Sequence, residues 1–159
     1  MPVVNAVITH AGRERITRYL AGQISYPGNL NPIGLAYFKI GEGGYDPATP
    51  NQPKIPNPAY TDLEAKGCDV NNKQIFQKNL MPENIIVEPY PSDIGYVNSI
   101  VVTITLESEE ANEGCGGGIP RYGEIGLFDY QDTLIVYGTY TSFLKYLGRS
   151  ATFTIRIVI

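Results

Sequence analysis

The stretch Gly123-Glu-Ile-Gly-Leu-Phe-Asp-Tyr-Gln-Asp-Thr-Leu-Ile-Val-Tyr-Gly-Thr-Tyr140 decides how the chain is read. Ile125 and Leu127, then Leu134 and Val136, recur at every second residue, which is the period of a strand with one buried face. Asp129, Gln131 and Asp132 break the pattern between them. An aspartate suits so short a break, because its carboxylate can accept from the backbone amides just ahead. The stretch therefore reads as two strands joined by a tight polar turn. Gly126 and Gly138 fall inside the strands, where glycine marks a bulge or the close approach of another backbone.

The same alternation extends outward from this hairpin. Ala151, Phe153, Ile155, Ile157 and Ile159 face one way and Thr152, Thr154 and Arg156 the other, so a core strand is expected to run to the last residue and to end the domain there. In Val97 to Leu106, Asn98, Ile100, Val102, Ile104 and Leu106 alternate with Val97, Ser99, Val101, Thr103 and Thr105, and the Val/Ile-rich middle predicts a strand covered on both faces. Gln74 to Lys78 and Asn84 to Glu88 read as shorter strands. In Ile33 to Ile40, Ala36, Phe38 and Ile40 are placed on one face and Leu35, Tyr37 and Lys39 on the other. Gly41-Glu42-Gly43-Gly44 then makes a turn. A phosphate-binding loop would need a following Gly-Lys-Thr/Ser and a βαβ setting, and neither is present.

Helices are few. Pro2 to Ile8 is a short apolar arm or strand, and Thr9 is placed to cap a helix with its hydroxyl. Ala11 to Ala21 carries Gly12, Ile16, Tyr19 and Leu20 along one stripe, with Arg15 and Arg18 turned away and Gly22 at the helix end. Thr61-Asp62-Leu63-Glu64 has capping-box spacing and predicts a short second helix closed by Gly67. Ser25 to Pro32 is loop chemistry. With 17 Gly and 12 Pro to make turns, 159 residues give one β-rich α+β domain spanning 1–159. Its expected form is antiparallel sheets, sandwich-like, with a short N-terminal helix and long loops.

Composition narrows the function. A net charge of -4 without a basic stripe gives no footprint for nucleic acid. No apolar run is long enough to span a membrane, and the N-terminus lacks the pattern of a signal peptide. Twelve Tyr and no Trp point to half-buried sheet faces or protein interfaces. Cys68 and Cys115 lack metal-ligand spacing, so no zinc is implied. For a protein made and assembled in the cytoplasm, two free thiols are expected, although a disulfide is geometrically possible.

Catalysis finds no support. His10, the sole histidine, stands at the start of the predicted helix, and no nucleophile or carboxylate pair accompanies it at a recognisable spacing. Glu107, Glu109, Glu110 and Glu113 lead into Gly114-Cys115-Gly116-Gly117-Gly118. The run lacks the ligand pattern of a calcium loop and reads as a solvated hairpin tip. No cofactor or metal is implied. Two stretches are candidates for partner contact. Arg13, Arg15 and Arg18 read as a solvated helix face, or alternatively as a surface for an acidic partner. Asp46 to Pro58, preceded by Tyr45 and holding Pro47, Pro50, Pro53, Ile55, Pro56 and Pro58, reads as a stiff extended loop. That loop is either a surface excursion or a clamp on a neighbouring subunit.

Three segments resemble a known family. Ile8-Thr9-His10-Ala11-Gly12-Arg13-Glu14-Arg15-Ile16 is similar to a "Thr-x-Ala-Gly-Arg" helix start, Tyr37-Phe38-Lys39-Ile40-Gly41-Glu42-Gly43 to a strand ending in "Ile-Gly-x-Gly", and Gly123-Glu124-Ile125-Gly126-Leu127-Phe128-Asp129 with Thr133-Leu134-Ile135 to a "Glu-Ile-Gly-Leu-Phe-Asp…Thr-Leu" hairpin. All three, in this order, resemble the N-terminal domain of phage tail-collar fibre proteins, which attaches a tail fibre to a contractile-tail baseplate. The family domain is normally followed by a long fibre, whereas this sequence stops at Ile159. The resemblance thus implies a virion structural protein, a baseplate or fibre adaptor in several copies, contacting other tail proteins and assembled in the host cytoplasm. The other reading is a carbohydrate-binding β-sandwich whose exposed tyrosines stack on host sugars.

Overall fold

The structure, a computed structural model, describes residues 3–23, 34–92 and 95–158. The loop expected at Ser25 to Pro32 lies outside the described residues, as do Pro2, Ile33 and Ile159. In chain order the elements are β1 (Asn5–Ile8), α1 (His10–Leu20), β2 (Leu35–Gly41), β3 (Tyr45–Asp46), β4 (Thr49–Pro53), α2 (Cys68–Asn71), β5 (Ile75–Asn79), β6 (Ile85–Ser92), β7 (Gly95–Leu106), β8 (Arg121–Asp129), β9 (Leu134–Leu144) and β10 (Ala151–Val158). They form a five-stranded sheet in the order β1-β9-β8-β2-β5, a three-stranded sheet β10-β7-β6, and a two-stranded ribbon β3-β4. Every pairing within these sheets is antiparallel. The fold is a β-rich α+β one with a single long helix among the described residues.

Alternation along the strands makes the core. Phe38 and Ile40 of β2, Ile125 and Leu127 of β8, and Val136 and Tyr140 of β9 are buried together with Ile100, Val102, Ile104 and Leu106 of β7 and Phe153, Ile155 and Ile157 of β10. Each such side chain contributes roughly 1.5–3 kcal/mol when fully buried. The Tyr140 and Phe153 rings meet at 5.0 Å between centroids, and Phe143 joins Phe153 at 5.8 Å. On the other face of the β7–β10 pair, the Thr105 and Thr152 hydroxyls lie 3.2 Å apart in a cross-strand hydrogen bond.

The central hairpin forms as its sequence dictates. Asp129 accepts from the amides of Gln131 and Thr133, both at 2.9 Å, and so shapes the turn. A Cβ on Gly138 would stand 2.7 Å from Val4 Cγ1 and 3.2 Å from the carbonyl oxygen of Asn5 on β1, so a side chain and a neighbouring backbone both crowd it. At Gly126 the crowding comes instead from the side chains of Leu134, Phe128 and Leu63.

Local patterns yield to tertiary context at several places. A β-bulge between Leu35 and Tyr37 slips the alternation of β2, so Leu35 joins Phe38 and Ile40 in the core while Ala36 and Tyr37 pack on the opposite face. In α1 the inward residues include Gly12, Ile16 and Arg15, the helix meets the β8–β9 hairpin at Gly12 and Arg15, and Leu20, expected on the apolar stripe, is 77% exposed. Thr61 to Lys66 is not helical, because other donors claim the Glu64 carboxylate that the capping box would use. Gly67 instead precedes the four-residue α2, with a φ of 90° open to glycine. The Glu107 to Gly118 segment is not a hairpin tip, since it crosses from β7 in one sheet to β8 in the other.

The cysteines are joined as a Cys68–Cys115 disulfide, which overturns the expectation of free thiols. Topology supplies the reason. Strands β5 and β8 both run antiparallel to β2 and therefore begin at the same end of the sheet. The segments that lead into them, one with Cys68 and one with Cys115, arrive at one corner.

Ile155, fully buried in β10, should lose about 2–5 kcal/mol of stability on substitution to alanine, measured by urea unfolding. A loss below about 0.5 kcal/mol, the range of surface positions, would remove it from the core.

Candidate functional site: a carboxylate-fastened face and its ribbon

The outer face of the five-stranded sheet carries a second apolar cluster of Tyr37, Leu63, Phe128, Leu134 and Tyr137, with Tyr60 and Ile75 packed against it. Tyr37 and Phe128 stack with ring centroids 5.1 Å apart, and Tyr60 meets Tyr137 edge-on at 5.0 Å. The segment that brings Tyr60 and Leu63 to this face has no regular structure of its own. Side-chain carboxylates hold it there.

Glu124, in the middle of β8, is fully buried. Its carboxylate accepts from the amides of Glu64 and Ala65 and from the Tyr137 hydroxyl, each at 2.8 Å. The turn after β2 wraps the same group so closely that a Cβ on Gly43 would lie 2.4 Å from its Oε1. Burial pushes the Glu124 carboxyl above the usual carboxylate range; the three donors pull it back, and the nearby Glu64 charge raises it further. Glu64 goes the other way. Partial burial raises it, but the Gly44 amide, Lys54 and the Tyr60 hydroxyl more than offset this and leave it below the ordinary value. Glu42 is a third fastener, accepting from the amides of Gln74 at 2.7 Å and Arg121 at 2.8 Å and so tying the starts of β5 and β8.

The three motifs quoted above converge on this scaffold. Thr9 caps α1 through the Gly12 amide at 2.8 Å and donates its own hydroxyl to the Leu134 carbonyl. A Cβ on Gly12 would sit 2.3 Å from the Ile135 carbonyl oxygen, so only glycine lets the helix lie on β9. Arg15 reaches the buried Asp129 at 3.1 Å and also donates to Gln131. Helix start, glycine turn and hairpin are one interlocked unit.

The proline-rich segment is a ribbon, not a free loop. Its strands β3 and β4 pair with each other, and β4 lies across β9. The buried Thr139 donates to the Lys54 carbonyl and Ser142 to the Pro50 carbonyl, while Lys54 Nζ pairs with Glu64 at 3.1 Å. Prolines leave carbonyls without competing amides, and side chains of β9 use two carbonyls of the segment. The expected interface residues are thus spread over different settings. Tyr45 is half-buried, its hydroxyl 3.4 Å from the Arg121 carbonyl; Pro50, Pro53 and Pro56 are half-buried, and Pro47 is exposed. Ile55 is 93% exposed. Arg15 is turned inward to Asp129, Arg18 pairs with Glu14 one helical turn away, and Arg13 is exposed.

Sequence reasoning gave Glu64 only a helix-capping role and assigned none to Glu42 or Glu124. The signal available was a carboxylate among glycines and apolar residues, in Gly123-Glu124-Ile125 and Gly41-Glu42-Gly43, where solvent is not expected. The tyrosines are also deeper than expected. Tyr122, Tyr137 and Tyr140 are fully buried, and the hydroxyls of Tyr37, Tyr45, Tyr60, Tyr122, Tyr137 and Tyr140 all bond within the protein. An open cleft of about 610 Å³ lies between Phe76, Ile119, Tyr146 and Leu147, with Glu109 and Glu113 on its rim. Among the described residues no group of three or more His, Cys, Asp or Glu side chains is placed to hold a metal ion. No family model, curated protein or solved structure matches the chain.

Removing the Glu124 carboxylate should be costly. Glu124→Ala strips three donors of their acceptor, and each such buried group costs about 1–3 kcal/mol. The pH dependence has a definite sign. A raised folded-state pKa means that the Glu124 contribution is complete below the unfolded value and is lost as pH rises through the folded one. The stability gap between wild type and Glu124→Gln should therefore narrow as pH rises above the ordinary carboxylate value of about 4, measured by urea unfolding. A gap that widens with pH would show that the buried group is stabilised as the anion.

Proposed function

We propose that this domain is a non-enzymatic structural subunit that links parts of a phage tail, fibre to baseplate, through protein–protein contacts. The observation that carries the reading is Ile55. It is the most exposed of the large apolar side chains among the described residues, and it stands beside a ribbon whose own carbonyls are tied down by Thr139 and Ser142. A large apolar group held out on a fixed support loses little entropy on docking, which favours a protein partner. The interlocking of the three motif segments supports the likeness to tail-collar fibre domains, because it gives those residues a joint physical reason to occur together. The tyrosines weigh against a sugar platform, since most of the described ones spend their hydroxyls internally.

The ribbon is best tested by a point change. Replacing it with a flexible linker would strip buried Thr139 and Ser142 of their acceptors and confuse folding with docking. Ile55→Asp should leave the unfolding midpoint within about 0.5 kcal/mol of wild type, as exposed positions do. It should also reduce capture of phage fibre or baseplate proteins in co-expression pull-downs by about tenfold or more, the effect of losing a docking hot spot. Undiminished capture would remove Ile55 from the interface. Binding on a glycan array without capture of any tail protein would replace the reading with the carbohydrate-binding one.

A further inference from the structure

The corner where the disulfide ties the lead-in of β5 to that of β8 also holds the open cleft of about 610 Å³. Gln74 and Phe76 line it from the β5 side, and Glu113 and Ile119 from the β8 side. Tyr146 and Leu147, from the connection between β9 and β10, line it as well. Cys115 falls between Glu113 and Ile119, and Cys68 Sγ lies 3.1 Å from the Gln74 side-chain oxygen. The disulfide thus joins two walls of the cleft to each other, and a cleft fixed in advance loses less entropy on docking. Ile119, Tyr146 and Leu147 are 59%, 47% and 72% exposed, three large apolar side chains around one opening. An exposed apolar patch with a polar rim is the mark of a docking surface.

The rim carries charge that the domain itself does not use. Glu109 and Glu113 are both exposed, and neither enters an ion pair, whereas the neighbouring Glu110 is held by Lys78 at 2.9 Å. Every Lys and Arg of the chain, and its one His, is among the described residues, so no side-chain cation from the remaining stretches can serve these two carboxylates. Two cations of this corner are committed elsewhere. Lys145 is fully buried and donates to Asn112 at 2.6 Å. Arg149 donates to the Leu144 carbonyl at 2.9 Å, and its guanidinium lies over the Phe143 and Tyr146 rings at 5.3 and 5.7 Å.

We infer that this cleft docks an arginine-bearing apolar segment of a partner protein, its apolar side chains entering between Ile119, Tyr146 and Leu147 and its guanidinium meeting Glu113 and Glu109. Charge complementarity selects the occupant, since two exposed carboxylates beside an apolar opening repel an anion and favour a cation. A guanidinium suits the place better than an ammonium. It forks a carboxylate with two hydrogen bonds and gives up water more readily beside apolar groups. The inference concerns a different surface from Ile55 and does not rest on the tail-assembly reading.

The test is a titration of the oxidised, isotope-labelled domain with three synthetic pentapeptides, followed by amide NMR. The first probe is acetyl-Leu-Arg-Leu-Arg-Leu-amide, the second carries Glu for Arg, and the third carries Gly for Leu. The first should shift amides within 74–76, 109–113 and 146–147 and bind about tenfold or more tightly than either of the others. Glu113→Arg should weaken it by about tenfold, the worth of a charge-assisted contact at a partly open site. Leu147→Ser should weaken it by a similar factor through lost apolar contact. Both changes are at exposed positions, so the unfolding midpoints should stay at the wild-type value. Absence of shifts at the cleft, equal binding of the first probe and either control, or full binding by both variants would each overturn the inference. Cleft shifts that follow the concentration of the domain alone, without peptide, would assign the surface to a second copy of the chain and overturn it as well.

Discussion

A carboxylate taken out of water must be met by donors, and the arrangement around Glu124 determines much of what surrounds it. Without Glu124 the Thr61–Lys66 segment, which forms neither helix nor strand, would keep only the Asp62–Lys39 ion pair and the packing of Leu63 to hold it to the sheet. With Glu124, two successive backbone amides of that segment are fixed, and Leu63 is carried onto the face where Tyr37, Phe128 and Tyr137 lie. The same carboxylate excludes any side chain from the turn after β2, which frees Gly44 to donate to Glu64 and lets Glu64 hold Lys54. Burying the charge is expensive. It is tolerated because one group organises four separate pieces of chain.

The parts of this fold that were legible in the sequence are those set by period. The β8–β9 hairpin, the long β7 and the C-terminal β10 each announce themselves by alternation, and the Asp129 turn and Thr9 cap by short-range chemistry that needs no knowledge of the rest. What was not legible depends on residues far apart. The Thr61–Glu64 spacing would serve a helix cap as well as it serves its actual role, and only the presence of Gly44, Lys54 and Tyr60 decides against the helix. Leu35 and Ala36 exchange faces because of a bulge that no pattern within the strand reveals. Among the candidate contact residues, Arg13, Arg15 and Arg18 look alike in sequence. Their difference arises from Asp129, which lies over a hundred residues away.

Polar side chains acting on backbone are a recurring device in this domain. Glu42, Glu64, Glu124, Asp129, Thr9, Thr139 and Ser142 each satisfy main-chain groups of loops or strand ends. A chain rich in glycine and proline has few regular hydrogen bonds to offer in its connections, and buried backbone polar groups still demand partners. The side chains supply them. Irregular connections are thereby tied to the sheets by specific hydrogen bonds, which suits surfaces that must be recognised by shape.

The Cys68–Cys115 bond gives this scaffold a dependence on where it resides. The cysteines stand 47 residues apart, and the closed loop contains β5, β6 and β7. By chain entropy, closing a loop of that length is worth about 4 kcal/mol. A reducing cytosol withholds that increment and an oxidising medium supplies it. The same chain therefore unfolds more easily under reducing conditions than under oxidising ones. A subunit folded in the first setting and used in the second would toughen after release, with no change in its contacts.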